Sequence, residues 1–120
     1  MVIRWHRISD DLAVVQAPAK FTIGEPVEAL RQKCIELVEN LGFKHLAINL
    51  SLVTLNDSSA IGELVSMYRR LRHNIVFVKP TKKLIDQLVV TKLIEVLPII
   101  EEEDDETIAE VFIANLASAN

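Results

Sequence analysis

Three adjacent polar residues in the middle of the chain, Asp57, Ser58 and Ser59, carry the groups best suited to chemistry. They follow an apolar run over residues 46–55 and precede apolar residues at positions 61, 64, 65, 68 and 71, the spacing of one helix face. The hydroxyls therefore stand where a helix begins. The first N–H groups of a helix lack partners and lie at the positive end of its dipole, so a phosphate on a serine there would be stabilised.

The same three residues also suit a plain helix cap, because Asp and Ser side chains accept hydrogen bonds from the first N–H groups. Residue type alone leaves the cap and the modification site both open. A nucleophilic role for Ser58 is disfavoured, since the sequence Gly-x-Ser-x-Gly is absent and no His–carboxylate pair can be assigned to it.

Other catalytic and cofactor motifs are also missing from the sequence. Three isolated glycines form no phosphate-binding loop. Three histidines lack the spacing of metal ligands. The glycines are Gly24, Gly42 and Gly62, and the histidines are His6, His45 and His73. We therefore expect no catalytic residue, metal or cofactor, and a protein that another protein modifies.

The composition is that of an ordinary globular domain, with 50% hydrophobic and 25% charged residues. The net charge is −4, but six acids stand together at 101–106, and no basic stripe suggests nucleic-acid binding. No apolar run approaches the roughly 20 residues of a membrane span, and no signal peptide is recognisable. The single cysteine excludes an internal disulfide. We expect one cytoplasmic domain over residues 1–120, without membrane insertion.

The first third of the chain predicts a hairpin and a helix. Short strands at 2–7 and 12–16 flank a turn, and residues 17–22 are read as irregular. A helix starts near Pro26 and should end at Gly42, a residue that favours a left-handed C-cap. Its apolar stripe consists of Val27, Leu30, Cys34, Leu37, Val38 and Leu41.

Strands and helices alternate in the rest of the chain. The helix after Ser59 ends in a basic cluster of Arg69, Arg70, Arg72 and His73, which suits a helix C-terminus. An apolar strand at 74–78 and a third helix, carrying Leu84, Ile85 and Leu88, come next. A turn near 90–91, a short helical piece and a strand at 98–100 follow. Asp104 or Asp105 should cap a last helix that carries Ile108, Val111, Phe112 and Leu116.

This alternation predicts the α/β fold class. Right-handed crossovers would make most strands parallel. We expect a sheet of four or five strands, mixed but mostly parallel, with an antiparallel leading strand and about four flanking helices.

The central stretch resembles the STAS domain family, the domains of anti-sigma factor antagonists and of the cytoplasmic tails of sulfate transporters. The family pattern is an apolar strand, then Asp-Ser-Ser or Asp-Ser-Thr, then Gly, an apolar residue and Gly, leading into a helix. Here Asp57-Ser58-Ser59 and Ile61-Gly62 match it. The likeness extends over nearly the whole chain in element order and is close over residues 45–80.

The resemblance implies a regulatory function. In the bacterial antagonists, an anti-sigma kinase phosphorylates the serine directly after the aspartate, and a phosphatase resets it. That serine is Ser58 here, and the implied partner-binding residues are Asp57, Ser58, Ser59, Ala60, Ile61 and Gly62. The resemblance further implies that Asp57 shapes the corner, that Ser59 helps to cap the helix, and that Ile61 and Gly62 allow a partner to approach.

Two segments depart from the family pattern. Ala60 stands where glycine is usual, and residues 19–22 lack the acidic residue usual before the first helix. Two other functions stay open: a STAS module that binds or scaffolds without phosphorylation, in a signalling assembly or beside a transporter, and a small enzyme. Incubation with ATP and candidate anti-sigma kinases would separate the phosphorylated antagonist from the module that is never phosphorylated.

Overall fold

A computed structural model describes the backbone of residues 1–119 and the side chains of residues 1–114. The strands are Trp5–Arg7 (β1), Leu12–Gln16 (β2), Lys20–Phe21 (β3), His45–Asn49 (β4), Leu55–Asn56 (β5), Ile75–Val78 (β6) and Ile99–Ile100 (β7). The α-helices are Glu25–Ile35 (α1), Ser58–Leu71 (α2), Lys82–Val90 (α3) and Asp105–Ala119 (α4).

Five strands form the main sheet in the order β1-β2-β4-β6-β7. The leading strand β1 pairs antiparallel with β2, and every other pairing in this sheet is parallel. The predicted α/β fold class, hairpin and mixed sheet are confirmed. All four residues of β6 are buried, as expected for a strand covered on both faces.

The alternation of side chains along the strands divides the core into two layers. On one face, Leu46 and Ile48 of β4 pack with residues of α1, α2 and α3. On the other face, Ala47 packs with Ile108 and Phe112 of α4. Three helices therefore cover one face of the sheet, and the fourth covers the other.

A short second sheet corrects the prediction that residues 17–22 are irregular. Lys20 and Phe21 form β3, which pairs in parallel with β5. The Ala19 carbonyl accepts hydrogen bonds from the Thr54 and Leu55 N–H groups at 2.8 and 3.1 Å. Two-residue strands show no alternation, so this pairing is invisible in the sequence. It brings the segment before α1 against the corner before α2.

The end of the first helical segment differs partly from its prediction. Cys34 is buried, as predicted, and burial raises the pKa of its thiol to about 12. Gly42 has a φ of 76°, the left-handed conformation expected there. Leu41, however, is exposed, because a π-helical turn over Glu36–Asn40 follows α1 and changes the angular spacing of the residues.

The last third of the chain follows its prediction closely. A 3₁₀ turn at Leu93–Glu95 separates α3 from β7. Asp104, rather than Asp105, caps α4, because its carboxylate accepts a hydrogen bond from the Thr107 N–H at 2.9 Å. Of the predicted core residues on α4, Ile108 and Phe112 are buried, Val111 is half-buried, and Leu116 lies outside the described side chains. Within residues 1–119, no helix is both long enough and apolar enough to cross a membrane.

Candidate functional site

The corner between β5 and α2 is built around Asp57. Asp57 is the N-cap of α2, and its Oδ1 accepts a hydrogen bond from the Ala60 N–H at 3.1 Å. Its Oδ2 accepts another from the Ile23 N–H at 2.9 Å, in the segment before α1. One carboxylate therefore caps the helix and joins two segments that are 34 residues apart. The family resemblance implies that Ser59 helps to cap α2, whereas in the structure the N-cap is Asp57.

The environment of Asp57 keeps it ionised. The Ile23 N–H lowers the pKa of its carboxyl below the ordinary value; burial opposes this effect, and the Ala60 N–H reinforces it. Asp57 is thus a fixed negative charge whose two oxygens are both engaged by the backbone.

The site residues that the family resemblance implies differ in their exposure to solvent at this corner. Ser58 is the first residue of α2 and is exposed to solvent. Ser59 and Ile61 are half-buried, and Gly62 is exposed. Ala60 is 1% exposed and belongs to the core, so its methyl group packs beneath the site. The structure therefore places an accessible hydroxyl at the helix start, one residue after the cap.

The buried face of α2 differs from the predicted one. Its buried residues are Ala60, Glu63, Leu64 and Met67, whereas positions 61, 65, 68 and 71 are only half-buried. Glu63 was missed because a charged side chain is normally assigned to the solvent face. Its carboxylate is neutralised by Arg31 of α1, with a distance of 2.6 Å from Nη2 to Oε1.

One groove lies between the start of α2 and helix α3. Its α2 side includes Ser58 and Ile61, and its α3 side includes Lys82, Lys83 and Val90. The groove has a volume of about 700 Å³ and is open to solvent. The two lysines were not singled out from the sequence, although cations in the first turn of a helix oppose its dipole and are an unusual choice.

A second groove lies on the opposite side of α2, against α1. Small residues of α2, namely Ser59, Gly62 and Ser66, form one wall, and Ile23 and Arg31 contribute to the other. A Cβ added at Gly62 would meet no atom within 4 Å, so the glycine leaves the backbone of α2 open to a partner. The exposed Ser58 hydroxyl thus stands at a helix start that is flanked by two grooves.

The histidines and the carboxylate beside Ser58 have other contacts in the described part of the chain. No group of three or more His, Cys, Asp or Glu side chains that could hold a metal occurs among them. His6 pairs with Asp105 at 2.9 Å, and His45 stacks on Phe112. The carboxylate nearest to Ser58 in sequence, Asp57, is bound to backbone N–H groups.

Comparison with known proteins places this geometry in a family. The model of the STAS domain matches residues 8–106. Among solved structures, SpoIIAA in its unphosphorylated form is 16% identical, with a TM-score of 0.69; the match covers 92% of this chain and 97% of that one. The Bacillus cell fate determinant SpoIIAA in its phosphorylated form is 15% identical, with a TM-score of 0.71 and coverages of 92% and 99%.

A third similar structure is an anti-sigma-factor antagonist (STAS) domain protein from Planctomyces limnophilus. It is 22% identical, with a TM-score of 0.68, and the match covers 95% of this chain and 97% of that one. At these identities, the structural likeness shows the fold. No curated protein matches the chain by sequence.

Proposed function

Because the chain belongs to the STAS domain family, we propose that it is an anti-sigma factor antagonist switched by phosphorylation of Ser58. The observation that carries this proposal is the exposed Ser58 hydroxyl at the first residue of α2, directly after the Asp57 cap. The likeness to SpoIIAA supports it, since that protein has solved structures in an unphosphorylated and a phosphorylated form.

The partner in this proposal is an anti-sigma protein with serine kinase activity. The unmodified antagonist binds it through the surface around Ser58, with Ser59, Ile61 and Gly62 on the same first turns of α2. The exposed Gly62 allows close approach, and Asp57 presents its fixed charge beside the hydroxyl. The domain itself catalyses no reaction and contacts no nucleic acid directly.

Phosphorylation breaks this complex through charge. The kinase transfers the γ-phosphoryl group of ATP to Ser58 Oγ, and ADP and the hydroxyl proton leave. The new group carries about −1.5 to −2 charges at neutral pH. It stands beside the carboxylate of Asp57, so an interface that fitted a neutral hydroxyl must now bury like charges. A phosphatase then restores the hydroxyl.

Intact-mass measurement after incubation with ATP and a cognate anti-sigma kinase tests the proposal. The wild-type chain should gain one phosphate, and Ser58→Ala should gain none. Ser59→Ala is the matched control, because it removes the neighbouring hydroxyl, and it should still gain the phosphate. The proposal would be contradicted if the Ser58→Ala variant still gained a phosphate. It would also be contradicted if no kinase that binds the wild-type chain phosphorylated it.

The second candidate function is a STAS module that binds its partner without being phosphorylated. The segment before α1 favours it, because Lys20 and Phe21 pair with β5 and supply no acidic group beside Ser58. Such a module should capture its partner equally well as wild type and as Ser58→Ala. It should also gain no phosphate in the presence of ATP.

A further inference from the structure

Helix α3 begins with two lysines that form no ion pair in the described part of the chain. Lys82 and Lys83 are its first two residues, and its first turn contains no acid. Both lysines are exposed, and neither forms an ion pair within residues 1–114. A cation at this end of a helix is unfavourable, because it faces the positive end of the helix dipole. The helix dipole therefore does not explain this choice of residues.

Both lysines line the groove that also contains Ser58. The groove places the first turn of α3 opposite the first turn of α2, with Ile61 and Val90 as apolar neighbours. A lysine ammonium stands on a flexible four-carbon stem with three rotatable donors, so it can follow a phosphate within such a groove. The modified serine and the two cations thus share one open space.

Two carboxylates also line this groove, Asp57 and Asp86. The oxygens of Asp57 are engaged by the Ile23 and Ala60 N–H groups at 2.9 and 3.1 Å. Asp86 lies one turn after the lysines on α3. The groove therefore carries two lysines and two carboxylates; the carboxylate of Asp57 is fixed to the backbone, whereas the two ammonium groups can move toward a phosphate on Ser58.

We propose that Lys82 and Lys83 bind the phosphate carried by Ser58 and hold it in the groove between α2 and α3. This inference rests on the function proposed above, and it adds how the phosphate on Ser58 is held and how it affects partner binding. In the unmodified protein both ammonium groups are free to meet acidic groups of the partner. In the phosphorylated protein the phosphate pairs with them, so the partner loses a neutral hydroxyl and two cations at once.

Phosphoserine incorporated at position 58 by an expanded genetic code allows a test that needs no kinase. The phosphorus-31 chemical shift, followed as a function of pH, reports the second pKa of the phosphate, which is about 6 without neighbours. Adjacent cations lower this pKa because they favour the dianion. Lys82→Gln/Lys83→Gln should raise it by about 0.5 relative to the wild-type background.

The matched control is Lys33→Gln/Lys44→Gln, which removes the same charge from residues outside this groove. It should leave the phosphate pKa unchanged to within about 0.1. Equal pKa values for the groove variant and the wild-type background would overturn the inference, as would an equal rise in the control. Failure of the kinase to modify Ser58 contradicts the proposed function instead, so the two failures are distinguishable.

Discussion

At the scale of single residues, the site depends on Asp57. Its two oxygens accept hydrogen bonds from Ala60 of α2 and from Ile23 before α1, so its side chain holds the corner on which Ser58 stands. Capping residues of this type are individually important for helix stability. The position and orientation of the hydroxyl therefore depend on the residue before it.

Replacing Asp57 should lower stability in a pH-dependent way. The pKa of Asp57 is lowered on folding, so its carboxylate contributes stability above the ordinary value near 3.8, and the contribution is lost as pH falls through the folded-state pKa. Asp57→Asn should therefore unfold more easily than wild type at neutral pH, and the difference should shrink below about pH 4. Thermal unfolding across this range measures it.

Asp10→Asn is the matched control for this prediction, since Asp10 is an exposed carboxylate in a loop. It should lower the unfolding temperature less than Asp57→Asn at neutral pH. A constant difference between wild type and Asp57→Asn at all pH values would contradict the role given to the charge.

The sequence predicts some residues of the site and misses others for clear reasons. Asp57 and Ser58 follow from capping preferences and helix spacing, which are local rules. Glu63 was missed because its burial depends on Arg31, which is 32 positions earlier in the chain. Lys82 and Lys83 come next to Ser58 only through the packing of α3 beside α2.

At the scale of elements, α2 combines a stable helix with an exposed glycine. Gly62 lies within the helix, and nothing occupies the space where its side chain would be. Gly62→Ala should raise the free energy of unfolding by about 0.5–1 kcal/mol, because alanine is the better helix former. The same change should weaken partner binding, since the methyl group meets the approaching surface.

Chemical denaturation and titration with the partner kinase measure these opposite effects. Ser66→Ala is the matched control, because Ser66 lines the same groove one turn later and already carries a Cβ. It should leave binding within about twofold. A Gly62→Ala variant that binds as tightly as wild type would show that the partner does not contact this turn.

The elements themselves were largely predictable, because long strands and helices have strong periodicity. The hairpin, the strands at 46–50 and 74–78, and the four helices all appear close to their predicted positions. The two-residue strands β3 and β5 were not predicted, because their pairing depends on contacts between distant segments. The exposed Leu41 reflects a π-helical turn, which local spacing does not indicate.

At the scale of the whole molecule, α4 closes the sheet face opposite the site. Phe112 of α4 stacks on His45 with ring centroids 4.9 Å apart. Burial lowers the pKa of the His45 imidazole, although the side chain of Asn74 opposes this effect. We therefore expect protonation of His45 to weaken its contact with α4.

This coupling predicts that the fold weakens in mild acid. The folded-state pKa of His45 lies below the ordinary value of 6.5, so its contribution is complete above that pH and is lost as pH falls below it. Wild type should therefore be less stable at about pH 5.5 than at about pH 7.5. His45→Gln should show a smaller difference in urea unfolding between these two pH values. An unchanged difference in His45→Gln would contradict this account.

The most direct test of the central claim compares the affinity of the anti-sigma kinase for two forms of this chain, with serine and with phosphoserine at position 58. A buried like-charge contact costs several kcal/mol, so phosphoserine should weaken binding about 100-fold. Calorimetric titration without ATP measures both affinities. Equal affinities for the two forms would contradict the claim that phosphorylation of Ser58 controls the partner.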